Sequence, residues 1–463
     1  MKPGCSYHFI GIAGSGMSPL AQIVRSQGNT VTGSDRSFDT QGLSGNPLVD
    51  IFRNQCITLY PQDGSAIKTR PDAVIVSSAI EKDNPDIISA HDNAITIMTR
   101  AELLAALSNE KLCIAVGGTS GKSTVTAMIA HILDLCNHNP TYIGGGILKN
   151  LSETPSLANF FHGQSPIICI ETDESDGSIV LYKPTISVLT NISKDHKDIS
   201  VLLSLFQEFI NNTSQTVIIN NDCPYTDTLT VPKEKAITCG IDTCAEYQAH
   251  EITSCDTYSQ FTVKDTSFRV SLPGRHNIAN ALTAIAACHT LDIPLTDIAS
   301  ALKQFKGIKR RLELIGETRG IKVYDDFSHN PDKISAALSA LRPHCNRVIA
   351  VFQPHGFAPT KHLRDDYITL FSNQIRDKDI LFITDIYDAG GSATRDIHSS
   401  ELIEKIKTNQ PEKDCQYLPD KKDIMHWVEK NSRSGDTILV MGARDNSLTE
   451  LCENIVKNIS NTK

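Results

Sequence analysis

The chain has 463 residues, enough for about three domains of ordinary size. With 40% hydrophobic and 21% charged residues and a net charge of −9, it reads as globular and lacks the basic excess of a general nucleic-acid binder. No apolar run reaches the length of a membrane span, and Met1-Lys-Pro-Gly-Cys leads toward a strand without signal-peptide anatomy, so neither membrane nor nucleic acid is an expected partner and a cytoplasmic address is expected.

The thirteen cysteines are odd in number and scattered, with no C-x-x-C pair. Several, such as Cys113, Cys169 and Cys288, sit in apolar runs, so reduced buried thiols are expected rather than structural zinc.

Tyr7–Ile12 reads as a strand that runs into Gly11-Ile-Ala-Gly-Ser-Gly-Met-Ser18 and a helix carried by Leu20, Ile23 and Val24. Thr30–Asp35 is a second strand ending in an acid. This is a Rossmann-like opening, but glycines at 11, 14 and 16 miss the G-x-G-x-x-G spacing. The turn reads either as a diphosphate seat at a helix N-terminus or as an α/β turn with no ligand. Ala73–Ala79 and Ile95–Met98 are further strands, Arg100–Leu107 is a helix, and polar Ser108–Lys111 marks a first boundary.

Leu112–Val116 is a short buried strand. Gly117-Gly-Thr-Ser-Gly-Lys-Ser123 follows it, then a helix through Val125, Met128, Ile129, Ile132 and Leu133. Backbone N–H groups of such a glycine loop face phosphates, the lysine neutralises them, and the serine hydroxyl suits Mg²⁺. The usual loop has a glycine where Val116 stands, so this is a shorter variant. The competing reading is a structural turn with an exposed lysine.

Past Gly144-Gly-Gly146, the strand Ser165–Ile170 ends in Glu171-Thr-Asp-Glu-Ser-Asp176. A strand running into acids is where a phosphate-loop enzyme places a Mg²⁺ carboxylate; the alternative is a solvated turn. Ile186–Thr190 ends in Asn191-Ile-Ser-Lys-Asp-His-Lys-Asp198, where His196 beside Asp195 reads as a ligand or a substrate contact and Lys194 and Lys197 as solvated. Thr216–Asn220 is a strand, followed by an antiparallel excursion to about residue 272. Gly274–Leu291 opens a helix with Asn277 and Asn280 on one face, placed to read an adenine edge or to cap the helix. Gly320–Asp326 is a strand leading to His329 and a helix from Asp332 to Leu341. Strands Val348–Phe352, Ile380–Ile383 and Thr437–Met441 alternate with helices, a third α/β unit.

In this order, His8–Ser18, Ser34-Asp35, Val76–Ile80, Gly118–Thr124, Glu171–Asp176, Thr190–His196, His276–Asn280, Arg311-Leu-Glu313, Asp326–Pro331 and Phe352–His355 resemble the Mur ligases, ATP-dependent amide-forming enzymes of peptidoglycan precursor synthesis. The resemblance implies an α/β fold of three domains. These are a Rossmann-like UDP-binding domain over 1–108, a central P-loop ATPase domain with a mostly parallel sheet over 109–307, and a mobile Rossmann-like C-terminal domain over 308–463.

It also implies a reaction: an amino acid, L-alanine first, is joined to the lactyl carboxylate of UDP-N-acetylmuramic acid through an acyl phosphate, with ATP and Mg²⁺. The implied partners are small molecules only, and the implied assembly is a monomer or weak homodimer. By resemblance, Gly14, Ser15, Gly16, Met17, Ser18, Asp35, Ser78, Thr190, Asn191 and His196 would hold the UDP substrate. Gly118, Thr119, Ser120, Gly121, Lys122, Ser123, Thr124, Asn277, Arg311 and Asp326 would reach ATP. Ser123, Glu171 and His196 would ligate metal. Lys122, Glu171, His196, Asp326 and His329 would be catalytic.

The sequence departs from the L-alanine branch at four places. Gly356 and Pro359 replace two arginines, Ser120 a histidine and Phe327 a tyrosine. Arginine forks grip carboxylates, so the departures leave the amine open. The alternatives are a different amine, peptide or carboxylate, or a nucleotide-binding paralogue without catalysis. A dehydrogenase would leave the phosphate loop unexplained.

Overall fold

The computed structural model describes residues 4–41, 47–77, 80–151, 159–195, 197–388, 390 and 394–461. Two compact units emerge. One comprises Met1–Ile192, Ile199–Gln248 and Asn280–Phe305, and the other Ser193–Asp198, Ala249–Ala279 and Lys306–Lys463.

The first unit holds two sheets. Strands β1 (Ser6–Ile10), β2 (Thr30–Ser34), β3 (Thr58–Tyr60), β4 (Ala73–Val76) and β5 (Thr96–Thr99) form an all-parallel sheet in the order β3-β2-β1-β4-β5. The order reverses between β1 and β4, and the Gly11–Gly16 turn lies beyond the carboxyl end of β1, where open parallel sheets take their ligands. Leu20, Ala21, Ile23 and Val24 of the helix Met17–Ser26 are buried in the core, which is why this glycine turn is followed by an apolar stripe.

The second sheet contains β6 (Leu112–Gly117), β7 (Thr141–Ile143), β8 (Phe160–Phe161), β9 (Ile167–Glu171), β10 (Ile186–Leu189), β11 (Thr216–Asn220), β12 (Ala236–Gly240) and β13 (Tyr247–Gln248). Their order is β13-β12-β11-β10-β6-β9-β7-β8, parallel except for β8. Short continuous apolar runs such as Leu112–Val116 are what a sheet covered on both faces requires. The helix Lys122–Leu135 is buried along most of its length, including the expected Val125, Met128, Ile129, Ile132 and Leu133. The excursion expected to turn antiparallel after β11 instead adds β12 and β13 in parallel first.

In the second unit, β14 (His250–Ser254), β15 (Ser259–Val263) and β16 (Thr266–Val270) form the antiparallel part, a meander. Its Asp256 pairs with Lys322 and accepts, through its carbonyl, the Tyr324 hydroxyl at 3.1 Å. The main sheet is built from β17 (Glu313–Thr318), β18 (Ile321–Asp326), β19 (Arg347–Phe352), β20 (Ile380–Ile383), β21 (Asp414–Tyr417) and β22 (Asp436–Met441), in the order β17-β18-β22-β19-β20-β21. Only β17 is antiparallel. Apolar clusters around Phe352, Phe371 and Leu439 and around Phe382, Ile438 and Ile455 supply its core.

All thirteen cysteines are free thiols. Cys113, Cys169 and Cys288 are fully buried, and burial pushes the Cys113 thiol up to about 12, which keeps it protonated and unreactive. No helix among the described residues is long and apolar enough to cross a membrane.

Candidate active site

The first unit gathers its polar residues at the carboxyl ends of β1, β6, β9 and β10. Beyond β1, Asp35 accepts the Ala13 N–H at 2.9 Å through one oxygen and the Ser37 N–H and hydroxyl through the other, at 3.0 and 2.6 Å. Asp35 thereby pins the Gly11–Gly16 turn. Gly16 caps the helix Met17–Ser26 without a side-chain bond; the Met17 and Ser18 N–H groups donate to the Gly14 carbonyl at 2.9 and 3.0 Å and the Gly14 N–H to the Gly11 carbonyl at 3.0 Å, so the turn offers the N–H groups of Ser15 and Gly16. Met17 and Ser18 turn their side chains inward. Ser78 lies outside the described residues, as does His196.

Arg100 was legible in sequence only as the start of a helix. Thr99 and Glu102 close a capping box around it. Its side chain then lies over Gly16, with Cδ 3.1 Å from where a Cβ would stand. A guanidinium over a glycine turn that leads into a helix is an anion seat. Asn159 ties this turn to the next site: its Nδ2 donates to the Ser15 carbonyl at 2.8 Å and lies 3.5 Å from that of Gly144.

The phosphate loop stands at the end of β6. Gly121 begins its helix at φ +87°, and a Cβ there would collide with Asn280 Oδ1. Glycine is therefore required by conformation and by close approach. Thr119, Ser123 and Thr124 are buried beside it. Thr190 and Asn191, at the end of β10, brace the loop. Thr190 Oγ1 donates to the Ser120 carbonyl at 2.6 Å, Asn191 Nδ2 donates to it at 2.9 Å, and Asn191 Oδ1 accepts the Ser120 N–H at 3.0 Å. The Thr119 N–H reaches the Asn191 carbonyl at 3.0 Å.

Lys122 Nζ donates to the Gly118 carbonyl at 2.6 Å and to both oxygens of Glu174 at 2.8 and 3.0 Å. Burial works against its charge, but Glu174, Glu171 and Asp173 together hold its pKa above the usual lysine range. Glu171, paired in register with Val116, accepts the Gly145 N–H at 2.8 Å. Ser123, in the first turn of the helix that follows β6, supplies a hydroxyl, and Glu171, at the end of the neighbouring β9, a carboxylate. Hard oxygen donors of this kind, completed by phosphate oxygens, fit Mg²⁺. Among the described residues, no group of three or more His, Cys, Asp or Glu forms a metal centre of its own.

In the second unit, Asp326 ends β18. One oxygen accepts the Leu312 N–H at 2.5 Å, and the other accepts the Ser328 N–H at 2.9 Å and its hydroxyl. The carboxylate so pins the Arg310–Leu312 segment, whose Arg310 and Leu312 have φ of +59° and +49°, a costly backbone for such residues. Arg311 lies over the Phe327 ring at 4.8 Å, with Arg310 at 5.4 Å. The His329 ring meets Phe327 edge-on at 5.6 Å. His329 Nδ1 is 2.9 Å from the Phe327 carbonyl. A carbonyl only accepts, so Nδ1 carries the proton and Nε2 the lone pair. Burial, with Lys333 against Asp195, drives its pKa down to about 3, so the ring is neutral.

Asn330 caps the next helix by accepting the Lys333 N–H at 2.9 Å. Asp195 accepts from Asn330 Nδ2 at 2.8 Å and Lys333 Nζ at 3.0 Å. Asn277 Nδ2 donates to the Pro273 carbonyl at 2.8 Å, one turn back.

Family models match along the chain: "Mur ligase family, catalytic domain" over residues 6–112, "Mur ligase middle domain" over 116–288, and "Mur ligase, glutamate ligase domain" over 310–444. The UDP-N-acetylmuramate–L-alanine ligase of Geobacter sp. strain M21 is 34% identical over 450 residues, covering 94% of each chain. The chain belongs to the Mur ligase family. The enzyme of the same name from Rickettsia canadensis is 35% identical to this Mur ligase, covering 94% of this chain and 93% of its own. A solved UDP-N-acetylmuramate–alanine ligase from Thermotoga maritima superposes with a TM-score of 0.76 at 25% identity, covering 99% of this chain and all of its own. A murein peptide ligase from Psychrobacter arcticus shares the fold at a TM-score of 0.67 and 23% identity, with 99% of this chain and all of its own covered. The three-domain α/β ligase fold expected from the sequence is therefore present.

Membership also puts the departures in relief. Gly356 has φ +74° and ψ 140°, a backbone reserved for glycine, and its N–H bonds to the Tyr387 carbonyl at 2.9 Å. Pro359 stands in the first turn of the helix Phe357–His362, where no intrahelical N–H partner is needed. The loop is built around these residues and not around arginines.

Proposed function

We propose that this Mur ligase joins L-alanine to UDP-N-acetylmuramic acid, with ATP and Mg²⁺, in peptidoglycan precursor synthesis. The observation that carries the proposal is the braced phosphate loop with Lys122 and Glu171, in a chain 33–35% identical over 94% of its length to enzymes of that name. The domains are assigned to 1–108, 109–307 and 308–463.

A carboxylate is a poor acyl donor. Transfer of the γ-phosphoryl group of ATP to a lactyl oxygen gives an acyl phosphate and ADP. The amine nitrogen then forms the C–N bond, phosphate leaves with the C–O electron pair, and the ammonium proton is lost. Two anions meet in the first step, and Lys122 screens them. Ser123 and Glu171, with His196, would hold Mg²⁺, which when bound would supply further screening of phosphate charge. Within Gly118–Thr124, which cradle the phosphates, the N–H groups of Gly121, Lys122, Ser123 and Thr124 serve them, because those of Thr119 and Ser120 are taken by Asn191. Asn277, Arg311 and Asp326 serve ATP, the last by holding Arg311 in place. Ser15 and Gly16 seat the UDP diphosphate through their N–H groups, with Gly14 shaping the turn, Met17 and Ser18 opening the helix behind it, Asp35 fixing it and Arg100 adding charge; Ser78 is assigned to the same substrate. Thr190 and Asn191 act through the phosphate loop they brace. His329, neutral and with its lone pair on Nε2, accepts a hydrogen bond from the attacking amine.

The backbone of Gly356 supports a second reading, the same chemistry with a different amine. One experiment decides. Purified protein is given ATP, Mg²⁺ and UDP-N-acetylmuramic acid with each of twenty amino acids or a muramyl tripeptide, and the amide is followed by mass spectrometry. Product with L-alanine above all others supports the first reading. Product with another amine replaces it, and no product with any amine removes the ligase assignment.

A further inference from the structure

The loop after β9 contains a second glutamate that no motif reading singled out. The Thr172 hydroxyl and N–H both donate to the Val116 carbonyl at 3.0 Å, tying the loop to β6. Asp173 then accepts the Ser175 N–H at 2.8 Å, a tight turn. Between these anchors Glu174 is directed inward and is 5% exposed. Its two oxygens and the Gly118 carbonyl receive the Lys122 ammonium, which has three protons to give.

A phosphate-loop lysine held this way has a fixed position and a compensated charge. Glu171 and Asp173 also act on it electrostatically, and Arg100 acts on Asp173. An incoming phosphate must displace at least one of these bonds and approach a buried carboxylate of its own sign. Both effects weaken ground-state binding. A lysine already positioned over the loop remains available to charge that develops during transfer, and only such differential binding accelerates the reaction.

We infer that Glu174 is a positioning residue for Lys122, which holds the ammonium over the phosphate loop and sets the strength of nucleotide binding. The inference rests on the assignment of ATP to this loop. It predicts that Glu174 trades affinity for turnover, so removing its charge moves the two in opposite directions.

The test measures the dissociation constant of ATP by calorimetry in EDTA, and kcat in the amide-forming assay, for the wild type, Glu174→Gln and Glu174→Asp. Glu174→Gln keeps shape and one acceptor but removes the charge, and should bind ATP about tenfold more tightly while kcat falls. Glu174→Asp withdraws the carboxylate by one methylene and should move both quantities the same way by a smaller factor. A purely structural role would lower the melting temperature and the active fraction and leave the dissociation constant where it was. A variant that folds with unchanged or weaker ATP binding overturns the inference; if the glutamine form does not fold, the aspartate form decides by the same criterion. Wild-type protein that fails to bind ATP overturns instead the assignment of the loop.

Discussion

Asn191→Ala isolates the brace under the phosphate loop. The substitution removes the acceptor of the Ser120 N–H at 3.0 Å and one of two side-chain donors to the Ser120 carbonyl. Thr190 still donates to that carbonyl at 2.6 Å, so the uncompensated loss is one half-buried N–H. Such a loss costs about 1–2 kcal/mol. In a chain of this size the melting temperature should fall by only about 2–4 °C. The larger effect is local: if loop order and phosphate binding are coupled, about 1–2 kcal/mol weakens ATP by roughly 5- to 30-fold. Asn191→Asp is the control, because it keeps an acceptor for Ser120 and adds a negative charge beside the loop. It should retain most of the stability and still bind ATP poorly. Thermal unfolding and ATP titration, run on both variants, separate the two effects. An alanine variant with wild-type melting and wild-type ATP affinity would refute the role given to Asn191.

Four further outcomes are expected. Lys122→Ala should abolish ATP turnover and also destabilise the protein by about 3–5 kcal/mol, because it strands buried Glu174; adding Glu174→Ala should restore melting but not activity. Arg100→Ala should raise KM for the UDP-sugar about tenfold with ATP affinity unchanged, read by initial rates, if the guanidinium over Gly16 grips the substrate anion. Gly356→Arg should cost about 1–3 kcal/mol and fail to tighten L-alanine, because the side chain cannot follow that backbone; a stable variant with better L-alanine binding would contradict the geometry.

The last concerns pH. His329 binds a proton more weakly in the folded chain, near pH 3, than an ordinary histidine near 6.5. Between those values the unfolded chain holds more protons, so its contribution to stability is complete above about pH 6.5 and is lost as pH falls toward 3. His329→Gln should flatten the pH dependence of denaturant unfolding over that window, and an unchanged slope would refute the buried neutral ring.

Much of the scaffold was legible because buried parallel strands leave continuous apolar runs. Leu112–Val116 and Thr216–Asn220 are found where those runs predict them. Edge and short strands carry no such signal. Thr58–Tyr60 and Thr141–Ile143 are three residues each, and β12 and β13 lie beyond a turn-rich stretch.

The candidate site was legible where chemistry demands a residue type in sequence order, Gly121-Lys122-Ser123 and Glu171, which follow β6 and end β9. It was less so where a side chain acts through tertiary position. Arg100 looks like any helix-opening arginine until Gly16 is found beneath it, although a cation directly after the β5 threonines was a clue. Glu174 is one acid among several in Glu171–Asp176, and only the turn made by Asp173 and Ser175 directs it to Lys122. The resemblance implies that Asp326 is catalytic and reaches ATP, and in the structure its oxygens hold Leu312 and Ser328 in place. Residue type alone does not distinguish a group that touches substrate from one that positions its neighbour.

The central claim is that a lactyl carboxylate is activated by ATP before an amine attacks. It is tested most directly by following an oxygen. UDP-N-acetylmuramic acid labelled with ¹⁸O in both carboxylate oxygens is incubated with the protein, ATP, Mg²⁺ and L-alanine, and the released phosphate is analysed by mass spectrometry. An acyl phosphate intermediate predicts one ¹⁸O in each phosphate released and one retained in the amide. Unlabelled phosphate accompanying amide formation would contradict the account.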